Sequence, residues 1–422
     1  MTSLVLLFWI VSGIALQLAI YLGIGFWRHW QGYQSLRNEA EELNLPVSRD
    51  AQRVNPTEPV VAAWKGFRTF HVERKVVEDA AQSVCSFYLK PEDGQALPEF
   101  LPGQFLTFQL EMPNAAGGTE QILRCYSLSD APRHDGYRVS IKRALAPAGS
   151  VVAPGRSSNY FHDQVAIGSR LQVRAPSGHF YIDSSDAPVV LIGGGIGITP
   201  MLSMLNWCLA EQPGREVWLF YGVRHGRELV MKSHLETLAA AHPNFHLRFC
   251  FSDPLPDDIV GRDYQYRGRI DVQLLRVQLP LKPYHYYICG PTPLMESLVP
   301  ALEDWGVPDA HIHYEAFGPA SIKRKQAAAP AVAVAAESDI VVTFARSGKQ
   351  LQWQPASGNL LEFAEANGIA VDSGCRAGGC GSCQATIRAG EVSYRQEPEF
   401  DPEPGNCLLC VSIPKTSITL EI

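Results

Sequence analysis

No Asp, Glu, Lys or Arg occurs before Arg28 in this chain of 422 residues. From Leu4 to Trp27 almost every side chain is apolar, with Ser12 and Gln17 the main interruptions. As a helix rising about 1.5 Å per residue this stretch would reach roughly 36 Å, enough to cross a hydrocarbon core with some tilt. Trp9, Tyr21, Trp27 and Trp30 suit the two interfacial belts. The basic n-region of a cleaved signal peptide is missing. Residues 1–27 are therefore expected to be a transmembrane anchor, and 28–66 a juxtamembrane linker. No Lys or Arg precedes the span, while Arg28, Arg37, Lys65 and Arg68 follow it. The positive-inside rule then gives a single pass in the inner (cytoplasmic) membrane, with the remaining domains in the cytoplasm and the lipid bilayer as a partner.

A basic excess is also lacking. Lys and Arg number 36 against 43 Asp and Glu, a formal net charge of −7, which gives no support to a nucleic-acid partner. Ten cysteines are too few for a disulfide scaffold of this length. No internal repeat is apparent. The length points to two to four domains, with ample material for cores.

What is present is concentrated in Asp372-Ser-Gly-Cys-Arg-Ala-Gly-Gly-Cys-Gly-Ser-Cys383. Cys375, Cys380 and Cys383 stand at C-x4-C-x2-C spacing, and Cys410 follows in a later apolar run. That is the plant-type [2Fe-2S] pattern. Four thiolates must converge on two irons, so a glycine-rich loop is needed that can turn tightly and aim amide N–H groups at sulfur. A disulfide or a structural zinc is the plainer reading of clustered cysteines. Residues 339–422 resemble a plant-type ferredoxin domain of β-grasp fold. The remaining cysteines, Cys85, Cys125, Cys208, Cys250, Cys289 and Cys407, read mostly as buried small hydrophobes.

Between 67 and 184 short alternating runs separated by Gly and Pro predict an antiparallel β-barrel. Within it lie, in order, Pro102-Gly-Gln-Phe105, Arg124-Cys-Tyr-Ser127, Val139-Ser-Ile-Lys-Arg143, Pro154-Gly-Arg-Ser-Ser-Asn159 and Ala175-Pro-Ser-Gly-His-Phe180. This series resembles the ferredoxin–NADP+ reductase superfamily. The resemblance implies that Arg124 pairs with flavin phosphate, that Tyr126 stacks on the isoalloxazine, and that Ser127 bonds near N5. It also implies that Ser140 and Lys142 line the site and that Gly155, Ser157 and Ser158 meet the pyrophosphate at a helix start. It favours FAD over FMN.

Residues 185–320 carry the nucleotide signals. An apolar strand runs into Gly193-Gly-Gly-Ile-Gly-Ile-Thr-Pro200 and then a helix. Strands alternating with helices predict an α/β domain with a parallel sheet. The turn is not G-x-G-x-x-G. Its Gly193, Gly194, Gly195, Gly197, Thr199 and Pro200 match the reductase superfamily's own version, as do Cys289-Gly290-Pro291 and the closing Glu315 and Phe317. By the same resemblance Cys289 lies near the nicotinamide, against a plain reading as a packing cysteine. Relatives with a fused ferredoxin domain mostly use NADH. Arg224 or Arg227 could instead meet a 2′-phosphate and leave NADPH open.

Residues 321–338, rich in Ala, Val and Pro after Lys-Arg-Lys, read as a tether. The order of parts resembles the reductase components of multicomponent oxygenases; the anchor departs from that pattern. The function implied is an NAD(P)H-dependent flavin and iron–sulfur oxidoreductase, with Tyr126, Ser127 and Cys289 at the reacting centre. Its expected acceptor is a membrane-bound oxygenase, hydroxylase or desaturase. A soluble acceptor, a quinone or a hybrid-cluster protein is the alternative. A non-catalytic redox sensor or scaffold is the rival from another class.

Overall fold

The computed structural model describes residues 63–114, 117–146, 153–317, 340–354, 357–395, 398 and 400–422. The expected anchor, the juxtamembrane linker up to residue 62 and the tether lie outside these. Among the described residues no helix is long and apolar enough to cross a membrane. The chain divides into two compact units, Met1–Val60 and Val61–Ile422, and everything below concerns the second.

The first sheet comprises β1 (Arg68–Val77), β2 (Val84–Pro91), β3 (Phe105–Pro113), β4 (Thr119–Ser127), β5 (Tyr137–Lys142) and, after helix α1 (Arg156–Asp163), β6 (Arg170–Val173). Its order is β4-β3-β6-β1-β2-β5, all antiparallel. A bridge between Leu128 and Val139 joins the two edges and closes the barrel. Phe70, Val72, Phe87, Leu89, Leu106 and Phe108 fill its interior, the alternate positions that a pleated strand turns inward. The first barrel strand starts at Arg68. Trp64 packs on this core and donates its indole N–H to the Val173 carbonyl at 3.1 Å.

The second domain is a six-stranded parallel sheet. It contains β7 (Val189–Gly194), α2 (Ile198–Glu211), β8 (Val217–Val223), α3 (Lys232–Ala241), β9 (Phe245–Phe251), β10 (Tyr266–Arg267), α4 (Val272–Gln278), β11 (His285–Gly290), α5 (Thr292–Asp304) and β12 (Ile312–Ala316). The strand order is β10-β9-β8-β7-β11-β12. Successive residues of β7 serve opposite faces: Val189 and Leu191 join the α2 and α3 core, Val190 and Ile192 the α4 and α5 core. Burial on both faces explains why this strand reads as an unbroken apolar run.

The third domain pairs β13 (Val341–Phe344), β14 (Lys349–Gln352), β15 (Gln384–Ala389), β17 (Asn406–Leu408) and β19 (Ile418–Leu420) in the order β14-β13-β19-β15-β17. A separate pair is formed by β16 (Val392–Tyr394) and β18 (Ser412–Pro414). Helix α6 (Leu360–Ala366) lies over the sheet. It starts with a capping box in which Asn359 Oδ1 accepts the Glu362 amide N–H and Glu362 accepts that of Asn359.

Candidate functional site

A cleft of about 260 Å³ is walled by all three domains. The barrel contributes Cys125, Tyr126, Ser127 and Lys142. The parallel-sheet domain contributes Ile196, Thr199, Glu315 and Phe317, and the third domain Gly374 and Cys375. Residues assigned from separate motifs thus meet at one place.

Tyr126 and Ser127 come from the last two positions of β4, paired with Leu106 and Phe105. The Tyr126 ring stands edge-on to Phe108 and Phe161, at centroid distances of 5.8 and 5.2 Å. Burial pushes the pKa of its hydroxyl up. The tyrosine is therefore held as a neutral, fixed plate. Gly155 caps α1. A Cβ there would come within 2.7 Å of the Ala144 Cβ and 2.9 Å of the Ser158 Oγ, so only glycine lets these segments meet. Ser158 itself accepts the Ala144 amide N–H at 3.1 Å. Arg124 Nη1 donates to the Leu123 carbonyl at 2.7 Å. The Ser140 hydroxyl bonds those of Ser86 and Ser129, at 2.7 and 2.9 Å, so it ties the strands together while its residue lines the cleft.

A second crevice, of about 320 Å³, opens at the carboxyl ends of β7, β8, β9 and β11, where parallel sheets receive nucleotides. Gly194, Gly195, Gly222, Arg224, Pro291 and Leu294 line it, and Lys142 borders both cavities. Gly197 explains the glycine turn: a Cβ there would stand 2.2 Å from the Cys289 carbonyl oxygen. Thr199 donates its hydroxyl to the Ile196 carbonyl at 3.0 Å, and Pro200 is buried in the first turn of α2. Gly194 and Gly290 lie in the close approach of β7 and β11, and a Cβ on Gly193 would press on Ile198 at 3.1 Å.

Two expectations are modified here. Cys289 is fully buried and is not on the cleft wall; burial pushes its thiol pKa well up, so it packs as a neutral hydrophobe. Arg224 is in the crevice, but Glu228 takes its guanidinium, with Nε to Oε1 at 2.8 Å. Arg227 is not on the crevice wall, whereas Arg269, which the motifs did not suggest, is.

The Glu315 Oε2 atom is buried with no hydrogen-bond partner. Burial raises its pKa to about 8, so the carboxyl is largely protonated at neutral pH. An orphaned carboxyl at a cleft wall is what a polar ligand edge would satisfy, and with the glycine approaches it makes these cavities fit FAD and a nicotinamide nucleotide.

The cysteine loop fits a binuclear cluster. Cys375 N–H and Ser382 N–H point to the Cys380 Sγ at 3.2 and 3.5 Å, Ala377 N–H and Gly379 N–H to the Cys375 Sγ at 3.4 and 3.2 Å, and Gly378 N–H to the Cys410 Sγ at 3.3 Å. Such donors stabilise thiolate ligands and added negative charge. Pairing of Gln384 with Leu408 brings side by side the ends of β15 and β17 that carry Cys383 and Cys410. Among the described residues no three His, Cys, Asp or Glu side chains gather as a single-ion site. The loop turns through positive φ at Arg376, Gly378 and Gly381, with φ of 58°, 76° and 72°. Arg376 is ion-paired to Glu365 of α6. Cys407 and Cys410 form another C-x2-C, a zinc-like spacing. The fold sends Cys407 into the core instead, where burial pushes its pKa up to about 12.

Sequence patterns missed the contacts between domains. Cys125, the variable position of the Arg124–Ser127 motif, lies against the cysteine loop: a Cβ on Gly374 would stand 3.2 Å from its sulfur and 2.9 Å from that of Cys380. Arg174, just after β6, donates from Nη1 to the Cys380 carbonyl at 2.6 Å.

Three family profiles match, in the same order as the domains. They are described as an oxidoreductase FAD-binding domain over residues 71–182, an oxidoreductase NAD-binding domain over 191–299 and a 2Fe-2S iron-sulfur cluster binding domain over 342–415. A flavohemoprotein of Rhizobium meliloti (strain 1021) is 40% identical over 277 residues, 65% of this chain and 66% of that protein. A flavohemoprotein of Bordetella pertussis is 41% identical over 60% of this chain and 61% of its own length. The chain thus spans just under two thirds of these curated relatives. Among solved structures, the flavohem-like FAD/NAD binding domain of nitric oxide dioxygenase from Vibrio cholerae is 34% identical with a TM-score of 0.53, covering 60% of this chain and 100% of that one. Phthalate dioxygenase reductase is 26% identical with a TM-score of 0.50, covering 85% of this chain and 98% of its own.

Proposed function

Because this chain belongs to the ferredoxin-reductase superfamily of FAD- and NAD-binding oxidoreductases, we propose that it is a membrane-anchored reductase serving a membrane-bound oxygenase, hydroxylase or desaturase. Its core activity is electron transfer from NAD(P)H through FAD to a [2Fe-2S] cluster. When bound, the cofactors supply the redox chemistry: NADH loses a hydride to become NAD+, and the two electrons so delivered leave one at a time as a proton is released.

The residues provide position. Tyr126 offers an aromatic plate and Ser127 a hydroxyl at the cleft. The start of α1 offers amide N–H groups to phosphate, as does the Gly193–Gly197 turn. Cys375, Cys380, Cys383 and Cys410 would hold the irons, with the loop amides favouring the reduced state. The single observation carrying this reading is that barrel, nucleotide and cysteine-loop residues wall one cleft.

Support for an oxygenase acceptor comes from likeness to phthalate dioxygenase reductase across 85% of this chain. Support for the anchor, and for a place at the cytoplasmic face of the inner membrane, comes from the uncharged, apolar residues 1–27. Confinement to a bilayer would raise the effective concentration of acceptor. A second reading, a soluble acceptor, draws on the flavohemoprotein likenesses, which lie in the FAD and NAD portion.

Anaerobic addition of NADH to the purified protein should bleach a flavin band and then bring up the EPR signal of a reduced [2Fe-2S] centre. Absence of bleaching would overturn the core reading. Deleting residues 1–30 should depress turnover with the native acceptor in cells; unchanged turnover would favour the soluble acceptor.

A further inference from the structure

The cysteine loop is held against the barrel by one side chain. Arg174 leaves the barrel just after β6, its own amide N–H bonded to the Thr107 carbonyl at 2.9 Å. Its guanidinium lies between two rings, Phe67 of the barrel and Phe400 of the third domain, each 4.6 Å from the carbon centre. From there it donates to the Cys380 carbonyl. A planar cation with several fixed donors can make both kinds of contact at once. Phe400 in turn is built into the loop: its amide N–H bonds the Gly378 carbonyl at 3.0 Å, and a Cβ on Gly381 would strike its ring at 2.8 Å. At the start of the same loop, Gly374 packs beside Cys125 so closely that a Cβ would stand 3.2 Å from its sulfur.

We propose that Arg174 is the positioning residue that docks the ferredoxin domain on the flavin barrel, and that this docking sets the rate at which electrons reach the cysteine cage. The proposal rests on the function proposed above. It assigns to a residue outside every recognised motif the task of holding Cys375 and Gly374 at the cleft wall. Arg174 is not on that wall, so its loss leaves the flavin and nicotinamide contacts in place. Geometry is the quantity at stake, since small displacements of reacting partners cost large factors in rate.

The test uses the full-length holoprotein and its Arg174→Gln, Arg174→Lys and Phe400→Leu variants. Rapid mixing with NADH resolves flavin bleaching from the later appearance of the reduced-cluster signal. Flavin content, cluster EPR line shape and cluster midpoint potential are measured alongside. In Arg174→Gln the second phase should slow about tenfold, equivalent to about 1.4 kcal/mol, and by more than any fall in the cluster potential accounts for, with the first phase unchanged. Arg174→Lys keeps the charge but not the flat fork and should recover part of the loss. Phe400→Leu should slow the second phase as well, and it carries the test if Arg174→Gln does not fold. A second phase within twofold of wild type in the folded variants overturns the proposal. Failure of the wild-type protein to reduce its cluster with NADH would overturn the functional reading instead.

Discussion

Cys289 and Glu315 stand opposite one another on the parallel strands β11 and β12. The Cys289 side chain is buried while its backbone carbonyl lies under the Gly197 turn, and the Glu315 carboxyl oxygen at the cleft wall has no partner. The pair shows how the nucleotide domain divides its labour: one side chain holds the wall up, the other is left for a ligand.

Glu315 should make stability depend on pH. Its folded pKa of about 8 lies above the ordinary 4.5, so the folded state binds this proton more tightly than the unfolded one. The resulting stability is fully present below pH 4.5 and lost as pH rises through about 8. Glu315→Gln cannot lose it. Melting of cofactor-free protein should show the variant gaining on wild type by roughly 1–2 kcal/mol between about pH 6 and 9. A constant difference across that range would contradict the assignment.

Gly197→Ala should break the nucleotide domain. The added methyl would overlap the Cys289 carbonyl, which is backbone and cannot swing aside. A loss of about 3 kcal/mol or more is expected in chemical denaturation. NADH should then fail to bleach the flavin of any protein that still folds. Near-normal stability would show that the strands separate more easily than their packing suggests.

Arg124→Ala should cost the protein its flavin. The residue lies two positions before Tyr126 on the same strand, and a guanidinium fork is well shaped for phosphate. Flavin-to-protein ratio after purification is the measurement; a full complement would remove Arg124 from the site.

Cys380→Ser should separate the two halves of the electron chain. Cys380 accepts two loop amides, and a Cβ on Gly374 would stand 2.9 Å from its sulfur and 3.2 Å from that of Cys125. Cytochrome c reduction should fall by at least tenfold, while flavin bleaching by NADH should proceed at its usual rate. A normal cytochrome c rate would mean that electrons leave by another route.

Much of this site was legible in the residues because its instructions are local. The C-x4-C-x2-C loop, the Gly193–Pro200 turn and the Arg124–Ser127 strand each fold within a dozen neighbours, so spacing alone carries their geometry. What escaped notice depends on distant partners. Arg174 and Cys380 are 206 positions apart, and no periodicity records that they touch. For Cys289 the motif left two readings, a place near the nicotinamide and plain packing, and only the burial of its side chain in the core distinguishes them. Arg224 has the right charge in the right turn, but a carboxylate four residues later claims it.

Lys142 is a single ammonium group with two neighbouring chambers. An anion drawn to it from the nucleotide side leaves it less able to offset negative charge arriving on the other. Thermodynamic reciprocity makes any such influence equal in both directions. The oxidation level of one occupant is then felt as the grip on the other, and a spent dinucleotide would be let go more readily, or less, according to the charge its donation has left behind.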